Sequence, residues 1–251
     1  MSEFLDFART VVLDAARHVR GFNLSAKVHD KEAGDLVTKG DLRIEEEITR
    51  AISRRYPDHG ILAEEGSSRN EGAEFKWILD PIDGTKYYFR NLPLYTISLA
   101  LQRKDYTILG VVYSPEYDRL FMAEQGGGAF LSKDRIKCRQ PAFLKESIIC
   151  LDIPGPQASA ERREEAFAKM RILMDNVLRV RLIGASALSL CWTAMGGFDA
   201  YLNLNSGAKI WDVAAGLVIV KESGARVSDN DGRIIAACPG IHDKLMEILD
   251  L

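Results

Sequence analysis

The sequence is poor in the residues that build many common metal and redox sites. It has only four cysteines and four histidines among 251 residues, and both types are scattered along the chain. Because no CxxC pair occurs, we expect neither disulfides nor a zinc site, and a reducing cytoplasm fits this cysteine usage best. The histidines form no visible imidazole cluster for a metal ion.

The chain also lacks a strong charge imbalance and long apolar runs. Its net charge is −3 with both signs interspersed, so we expect no nucleic-acid partner, which would need a basic stripe. Residues 1–20 mix acidic and apolar side chains without a basic start, so we expect no signal peptide. No apolar run is long enough to cross a bilayer, so we expect no membrane partner.

What stands out is the stretch Trp77–Thr85, in which an apolar run ends in two carboxylates. The run reads as a buried strand, and Pro81 predicts its end because proline cannot donate to a strand ladder. Asp80 and Asp83 would then lie at a strand end, close enough to share a cation. Carboxylate and carbonyl ligands suit a hard ion such as Mg2+.

Gly84 and Thr85 complete this stretch. Glycine allows the backbone to approach a ligand closely, and the threonine adds a hydroxyl group and an amide. If a helix begins here, its free N–H groups would favour an anion, most simply a phosphate. The alternative interpretation is an ordinary turn, since Asp-Pro and Asp-Gly pairs are common turn sequences.

Two further motifs favour the functional interpretation: Ala63-Glu64-Glu65-Gly66 upstream and Trp211-Asp212-Val213-Ala214-Ala215-Gly216 downstream. The three motifs together resemble the inositol monophosphatase family of Mg2+-dependent, lithium-sensitive phosphatases, and the likeness covers nearly the whole chain. Their order and spacing are highly specific for the superfamily and much less so for the substrate. The resemblance implies a layered αβαβα sandwich.

The hydrophobic pattern predicts an α+β N-terminal half, residues 1–146. Apolar residues at helical spacing predict amphipathic helices over 3–21 and from about 39 to just before Pro57, separated by a mobile loop over 27–34. The strands after them suggest an antiparallel meander, with Gly126–Gly128 as a tight connection. The predicted strands cover 60–63, 95–101, 107–113 and 119–123.

The C-terminal half, residues 147–251, alternates strands and helices, which predicts a mostly parallel sheet flanked by helices. We expect Phe167, Met170 and Leu173 to face inward from one helix. The helix from Asp212 is apolar nearly all round and should be buried. The predicted strands are 147–151, 177–183 and 198–204, and the predicted helices are 159–174, 185–195 and 212–223.

The resemblance assigns roles to individual residues. It makes Asp35 an outer metal ligand and Glu65 the neighbour of Glu64 in the metal site, and it lets Glu64 and the Asp41–Thr85 pair position the attacking water. Without it, Asp41 and Asp212 would equally serve as helix-start carboxylates. The implied central metal ligands are Glu64, Asp80, Asp83, Asp212 and the Ile82 carbonyl, and the implied phosphate ligands are the amides of Gly84 and Thr85.

The side that would hold the leaving alcohol departs from the family pattern. A glutamate common in inositol monophosphatases is replaced by Asn203, and an arginine of the archaeal-type fructose bisphosphatases by Asn205. A lysine expected five residues before Asp35 is replaced by Asp30, with Lys31 beside it. The implied substrate contacts are Asp83, Gly184, Ala185, Ser186 and Asn203, with Lys31, Arg181 and Lys209 as possible cations.

We therefore expect a phosphatase of small polyol or sugar phosphates, inositol monophosphate first, that uses direct attack by water and two or three Mg2+ ions, or Mn2+. Serine, cysteine and histidine are not placed as nucleophiles. The alternatives are a bifunctional fructose-1,6-bisphosphatase/inositol monophosphatase, a 3′-phosphoadenosine 5′-phosphate phosphatase, and a binding protein without catalysis. The resemblance also implies lithium inhibition and a homodimer.

Overall fold

The computed structural model describes residues 2–17, 19, 27–31, 35–141, 143–205, 208–230 and 232–251, and only the backbone of 27–31 and 35. The N-terminal elements are α1 (Glu3–Ala16), β1 (Lys27–Lys31), β2 (Asp35–Thr38) and α2 (Lys39–Arg55). The prediction for α1 was too long, because a turn at Arg17 bonds back to the Asp14 carbonyl. The prediction of a mobile loop was also wrong over 27–31, where the backbone of β1 pairs with β2.

The first sheet has seven strands in the spatial order β3-β4-β5-β6-β7-β8-β9 and is antiparallel except for the β3–β4 pair. It contains the predicted meander, and Gly126 and Gly127 lie in the turn between β7 and β8, which Gly128 begins. Its members are β3 (Gly60–Ala63), β4 (Phe75–Asp83), β5 (Thr96–Arg103), β6 (Tyr106–Ser114), β7 (Arg119–Glu124), β8 (Gly128–Leu131) and β9 (Asp134–Ile136), with the short helix α3 (Thr85–Phe89) after β4.

The strand β4 does not end at Pro81, so that prediction was wrong. Pairing with β5 shifts register between Asp80 and Asp83, and pairing with β3 stops at Leu79. Pro81 therefore lies in a bulge where its missing N–H breaks no ladder. The bulge carries β4 two residues past the proline and places Asp83 at its end.

The second sheet follows the order β11-β10-β12-β14-β13. It is parallel through β11, β10 and β12, and antiparallel from β12 onward. Its members are β10 (Ile148–Asp152), β11 (Arg179–Arg181), β12 (Ala200–Asn203), β13 (Arg226–Asn230) and β14 (Arg233–Ala237), and its helices are α4 (Ala160–Asn176), α5 (Ser186–Ala194), α6 (Ile210–Glu222) and α7 (Pro239–Leu249).

The layers follow from which helix contacts which sheet. The helices α1 and α2 cover one face of the first sheet, α5 and α6 lie between the sheets, and α4 and α7 lie beyond the second. The predicted αβαβα layered class is thus confirmed. The close approach of α6 requires Gly110, since a Cβ there would lie 2.4 Å from the Ala215 carbonyl oxygen.

One inward residue of α4 was predicted wrongly. Leu173 is buried and Met170 packs against the core, but Phe167 is exposed. The buried position in its place is Ala166, which lies at the right helical spacing to join Met170 and Leu173. Phe167, one residue further around the helix, therefore faces solvent.

Candidate active site

The ends of the parallel neighbours β3 and β4 bring three acidic residues together. Glu64 follows β3, and its amide donates to the Leu79 carbonyl of β4 at 3.2 Å. Asp80 and Asp83 occupy the end of β4, with only 2% and 7% of their surface exposed. The side chain of Glu64 approaches the Asp80 carboxyl group closely enough for a hydrogen bond between them to contribute to the raised pKa of Asp80.

The charges of these acidic residues, together with that of Asp212 at the start of α6, repel one another. Burial raises the pKa of Asp80 well above its ordinary value, and the charges of Glu64, Asp83 and Asp212 raise it further. Burial also raises the pKa of Asp83 to about 8, with Asp212 as the next cause. We call Glu64, Asp80, Asp83 and Asp212 the acidic end of the site.

The donor chemistry of the acidic end fits a hard divalent cation. The Asp80 Oδ1 atom is buried without a hydrogen-bond partner, an arrangement that is costly unless a ligand completes it. All the side-chain donors are oxygens, as Mg2+ and Mn2+ prefer. Within the described part of the chain, no three acidic, histidine or cysteine side chains are arranged to hold a metal ion as they stand. The side chains of Lys31 and Asp35 lie outside the described set.

The predicted pair Asp41 and Thr85 is brought together. The Thr85 hydroxyl lies 3.3 Å from Asp41 Oδ1 and 2.9 Å from the Ile82 carbonyl oxygen. Asp41 also forms a capping box with Thr38 at the start of α2. Burial raises the pKa of Asp41 to about 6, against the opposing hydrogen bonds from Thr38. Both readings of Asp41, helix cap and partner of Thr85, are therefore compatible.

The turn between β4 and α3 requires glycine at position 84. Gly84 has φ of +92°, and a Cβ there would lie 2.5 Å from the Leu94 carbonyl oxygen. It precedes Thr85, the first residue of α3. This geometry lets the backbone turn sharply from the acidic end into the helix.

Asp83 has a second role that the sequence did not reveal. Its carboxylate accepts the amides of Ser186 at 3.2 Å, Ala187 at 3.0 Å and Leu188 at 3.4 Å. These are the first amides of α5, which has no side-chain cap of its own. Asp83 thus caps a helix of the C-terminal half and ties the acidic end to that half.

Asp152, at the end of β10, was missed by the sequence analysis. It accepts hydrogen bonds from the Gly184 amide at 3.1 Å, the Ser186 hydroxyl at 3.1 Å and the Tyr201 hydroxyl at 2.8 Å. Burial raises the pKa of Asp152. A usable signal was present, because Asp152 ends an apolar strand just as Asp80 follows Trp77–Leu79.

The predicted contact Asn203 belongs to the same network. It is 3% exposed and lies beside Asp152 on the neighbouring strand. Its Nδ2 donates to the Tyr201 hydroxyl at 3.3 Å, and its Oδ1 accepts the Asn205 amide at 2.8 Å. We call Asp152, Ser186, Tyr201 and Asn203 the alcohol end of the site.

The remaining predicted residues differ in placement. Arg181 is exposed on the edge strand β11, where it bonds the Val180 carbonyl at 2.9 Å. Lys209 precedes α6, and its amide donates to Asp212 Oδ2 at 3.0 Å. Asp212 therefore caps its own helix while contributing to the acidic end. Ala185 is buried just before α5.

Comparison with known proteins decides the family. The sequence model of the inositol monophosphatase family matches residues 1–247. The chain belongs to this family. It is accordingly a phosphoric monoester hydrolase, the enzyme class that the three motifs predicted.

Individual relatives agree with this assignment. A Fructose-1,6-bisphosphatase/inositol-1-monophosphatase of Aquifex aeolicus is 31% identical over 99% of this chain and 96% of its own. A Nus factor SuhB of Haemophilus influenzae is 37% identical over 82% of this chain and 79% of its own. The solved SuhB of Bartonella henselae superposes with a TM-score of 0.92 at 28% identity, covering 99% and 98% of the two chains.

A membrane-spanning role finds no support among the helices. In the part of the chain that the structure describes, none of them is both long and apolar enough to cross a bilayer.

Proposed function

We propose that this member of the inositol monophosphatase family hydrolyses small polyol phosphate monoesters, inositol monophosphate first, with divalent metal ions held at the acidic end. The observation that carries the proposal is the buried carboxylate group with its unpartnered Asp80 Oδ1 atom. The ligands would be Glu64, Asp80, Asp83, Asp212 and the Ile82 carbonyl, with Glu65 and Asp35 further out. Mg2+ and Mn2+ suit this oxygen set, and two or three ions are proposed.

When bound, the metal ions would supply activation of water and would offset the charge on the phosphoryl group. The chain's own residues orient the reactants. The Thr85 hydroxyl, which lies 3.3 Å from Asp41 Oδ1, would hydrogen-bond the attacking water. The backbone amides of Gly84 and Thr85 would hold phosphate oxygens. Glu64 would position the same water from the other strand.

The leaving alcohol would lie against the alcohol end. The amides of Gly184 and Ser186 already donate to Asp152 and Asp83, so these amides are not free to bind a hydroxyl group of the substrate. The side chains of Ser186 and Asn203 also bond within the protein, but the Ser186 hydroxyl can still accept a hydrogen bond and the Asn203 Nδ2 group has a second hydrogen to donate. We propose that a polyol would meet these two remaining sites. Arg181 and Lys209 are proposed only as peripheral cations for a second phosphate, and Lys31 only in place of the lysine expected five residues before Asp35.

A second candidate is fructose 1,6-bisphosphate hydrolysis in addition to inositol monophosphate hydrolysis. The observation that favours it is the Aquifex aeolicus relative, which carries both activities in its name and aligns with nearly the whole chain. The absence of the archaeal-type arginine at Asn205 weighs against it. A homodimer and a cytoplasmic location stay predictions from the sequence.

A panel assay tests the substrate. Phosphate release would be measured with Mg2+ on inositol 1-phosphate, fructose 1,6-bisphosphate and 3′-phosphoadenosine 5′-phosphate. We expect the largest kcat/KM for inositol 1-phosphate. Preference for the nucleotide would replace the proposed substrate class, and binding of esters without any turnover would replace hydrolysis by a binding function.

A further inference from the structure

Glu45 is a buried carboxylate on α2 that neither the motifs nor the proposed mechanism uses. Only 3% of its surface is exposed. Its Oε2 accepts the amide of Glu65 at 2.8 Å, and its Oε1 accepts the amide of Ser67 at 2.9 Å. Both carboxylate oxygens are thus committed to the backbone of one turn, the turn that follows β3.

That turn carries Glu64 and Glu65, which are proposed metal ligands. It passes through Gly66 at φ of +110°, where a Cβ would meet nothing within 4 Å. Within the turn, the Gly66 amide donates to the Ala63 carbonyl at 3.4 Å and the Ser68 amide donates to the Gly66 carbonyl at 2.8 Å. The charge of Glu64 at the start of the turn repels Asp80. Two hydrogen bonds to a charged acceptor are a strong restraint on such a segment.

The position of Glu45 on its helix connects two parts of the site. Asp41 lies one helical turn earlier on α2 and is within reach of the Thr85 hydroxyl, beyond the end of β4. Glu45 bonds the turn beyond the end of β3. A single rigid helix therefore sets the separation between the Thr85 side and the Glu64 side of the acidic end.

We propose that Glu45 is a positioning residue for the metal site: its carboxylate clamps the Glu65 and Ser67 amides and thereby fixes the backbone from which Glu64 and Glu65 would reach a cation beside Asp80. The proposal rests on the metal-binding part of the proposed function. Groups that orient metal ligands from the next layer typically change metal affinity by about tenfold to a hundredfold when altered.

The test uses Glu45→Gln in the full chain, with Glu46→Gln as matched control. Glutamine keeps the volume but turns an –NH2 group toward one of the two amides, so at most one bond survives. Glu46 neighbours Glu45 on the same helix but is exposed. We would measure amide exchange at Glu65 and Ser67 in metal-free protein, and Mn2+ affinity by calorimetry.

We expect Glu45→Gln to speed exchange at these two amides and to weaken Mn2+ binding about tenfold or more, while Glu46→Gln matches the wild type in both. Unchanged exchange would overturn the clamp. Faster exchange with wild-type Mn2+ affinity would also overturn the proposal, since the contact would then be structural only.

Two further results would also test the proposal: failure of the variant to fold, and absence of metal binding or hydrolysis in the wild type. If Glu45→Gln does not fold, Glu45→Asp is used, because it keeps the charge and is too short to reach both amides; wild-type Mn2+ affinity in that variant would overturn the proposal. If the wild type binds Mn2+ but hydrolyses no ester, the proposed hydrolysis is overturned but the positioning role of Glu45 is not. If the wild type binds no Mn2+, both proposals are overturned.

Discussion

The acidic end and the alcohol end are both built from buried polar residues, yet they are completed differently. At the acidic end, carboxylates repel one another and the Asp80 Oδ1 atom has no partner. At the alcohol end, Asp152 accepts three hydrogen bonds, and Asn203 bonds both the Tyr201 hydroxyl and a backbone amide. In the proposed function a cation completes the first arrangement, whereas hydrogen bonds within the protein satisfy most of the second.

This difference predicts different responses to mutation. Changes at the acidic end should affect every substrate, because they alter the metal and the phosphate, which all esters share. Changes at the alcohol end should affect only substrates with hydroxyl groups to recognise. Comparing inositol 1-phosphate with para-nitrophenyl phosphate separates the two.

Asp83→Asn should have the largest effect. It removes the charge of a proposed metal ligand, so we expect turnover on both substrates to fall by several orders of magnitude, since bound metal supplies several kcal/mol of transition-state stabilisation. Asp83 also caps α5, so circular dichroism must show that the variant is folded. Asp175→Asn, an exposed site on α4, is the matched control. Near-native turnover would reduce Asp83 to a helix cap.

The pair Asp41 and Thr85 should show the next largest effect. Thr85→Ala should lower kcat by about a hundredfold, as for loss of one oriented catalytic donor. Because the hydroxyl lies near the Asp41 carboxylate, Asp41→Asn should add little to it in the double variant. Losses that multiply, measured at saturating Mg2+, would show that the two residues act independently.

Asn203→Ala should have a smaller and selective effect. An unpaired buried polar group costs roughly 1–3 kcal/mol, so kcat/KM for inositol 1-phosphate should fall about tenfold to a hundredfold. The generic ester should be little changed, and the exposed Asn230→Ala is the control. Equal losses on both substrates would mean that Asn203 supports the fold or the metal site.

The smallest effect concerns stability against pH. The pKa of Asp41 is raised from 3.8 to about 6 and the pKa of Asp83 to about 8, so the folded protein holds these protons more tightly than the unfolded chain. The stability that these two groups contribute is fully present below the pKa that they have in the unfolded chain, and it is lost as pH rises toward about 8.

Metal reverses this trend, because a bound cation favours the ionised carboxylates. The Tm gain on adding Mg2+ to chelator-treated protein should therefore grow as pH rises through that window. Differential scanning fluorimetry at several pH values measures it. A gain that shrinks with rising pH would contradict the assignment of a cation to these carboxyl groups.

The sequence predicted what is local and periodic. The strand before Asp80, the buried α6 and the amphipathic α2 follow from runs and spacing that burial imposes on a chain. We predicted that β4 would end at Pro81, but a bulge accommodates the proline and the strand continues. This bulge depends on the neighbouring strand β3, whose pairing with β4 stops at Leu79. Such a tertiary condition is not visible in the residues of β4.

The same limit applies to the site. The motifs identified Glu64, Asp80, Asp83 and Asp212, since each follows an apolar strand or opens a buried helix. Asp152 ends an apolar strand and could have been found in the same way, whereas Glu45 could not, because its partners are the backbone amides of Glu65 and Ser67. A backbone partner leaves no residue type to recognise.

Chelation and metal return test the central claim most directly, namely that the acidic end works by holding a divalent cation. Phosphate release from inositol 1-phosphate would be followed in excess chelator, then after Mg2+ or Ca2+ is added back. We expect no turnover in chelator, recovery with Mg2+, and little recovery with Ca2+, which takes looser coordination geometry. Full activity in excess chelator would contradict the account.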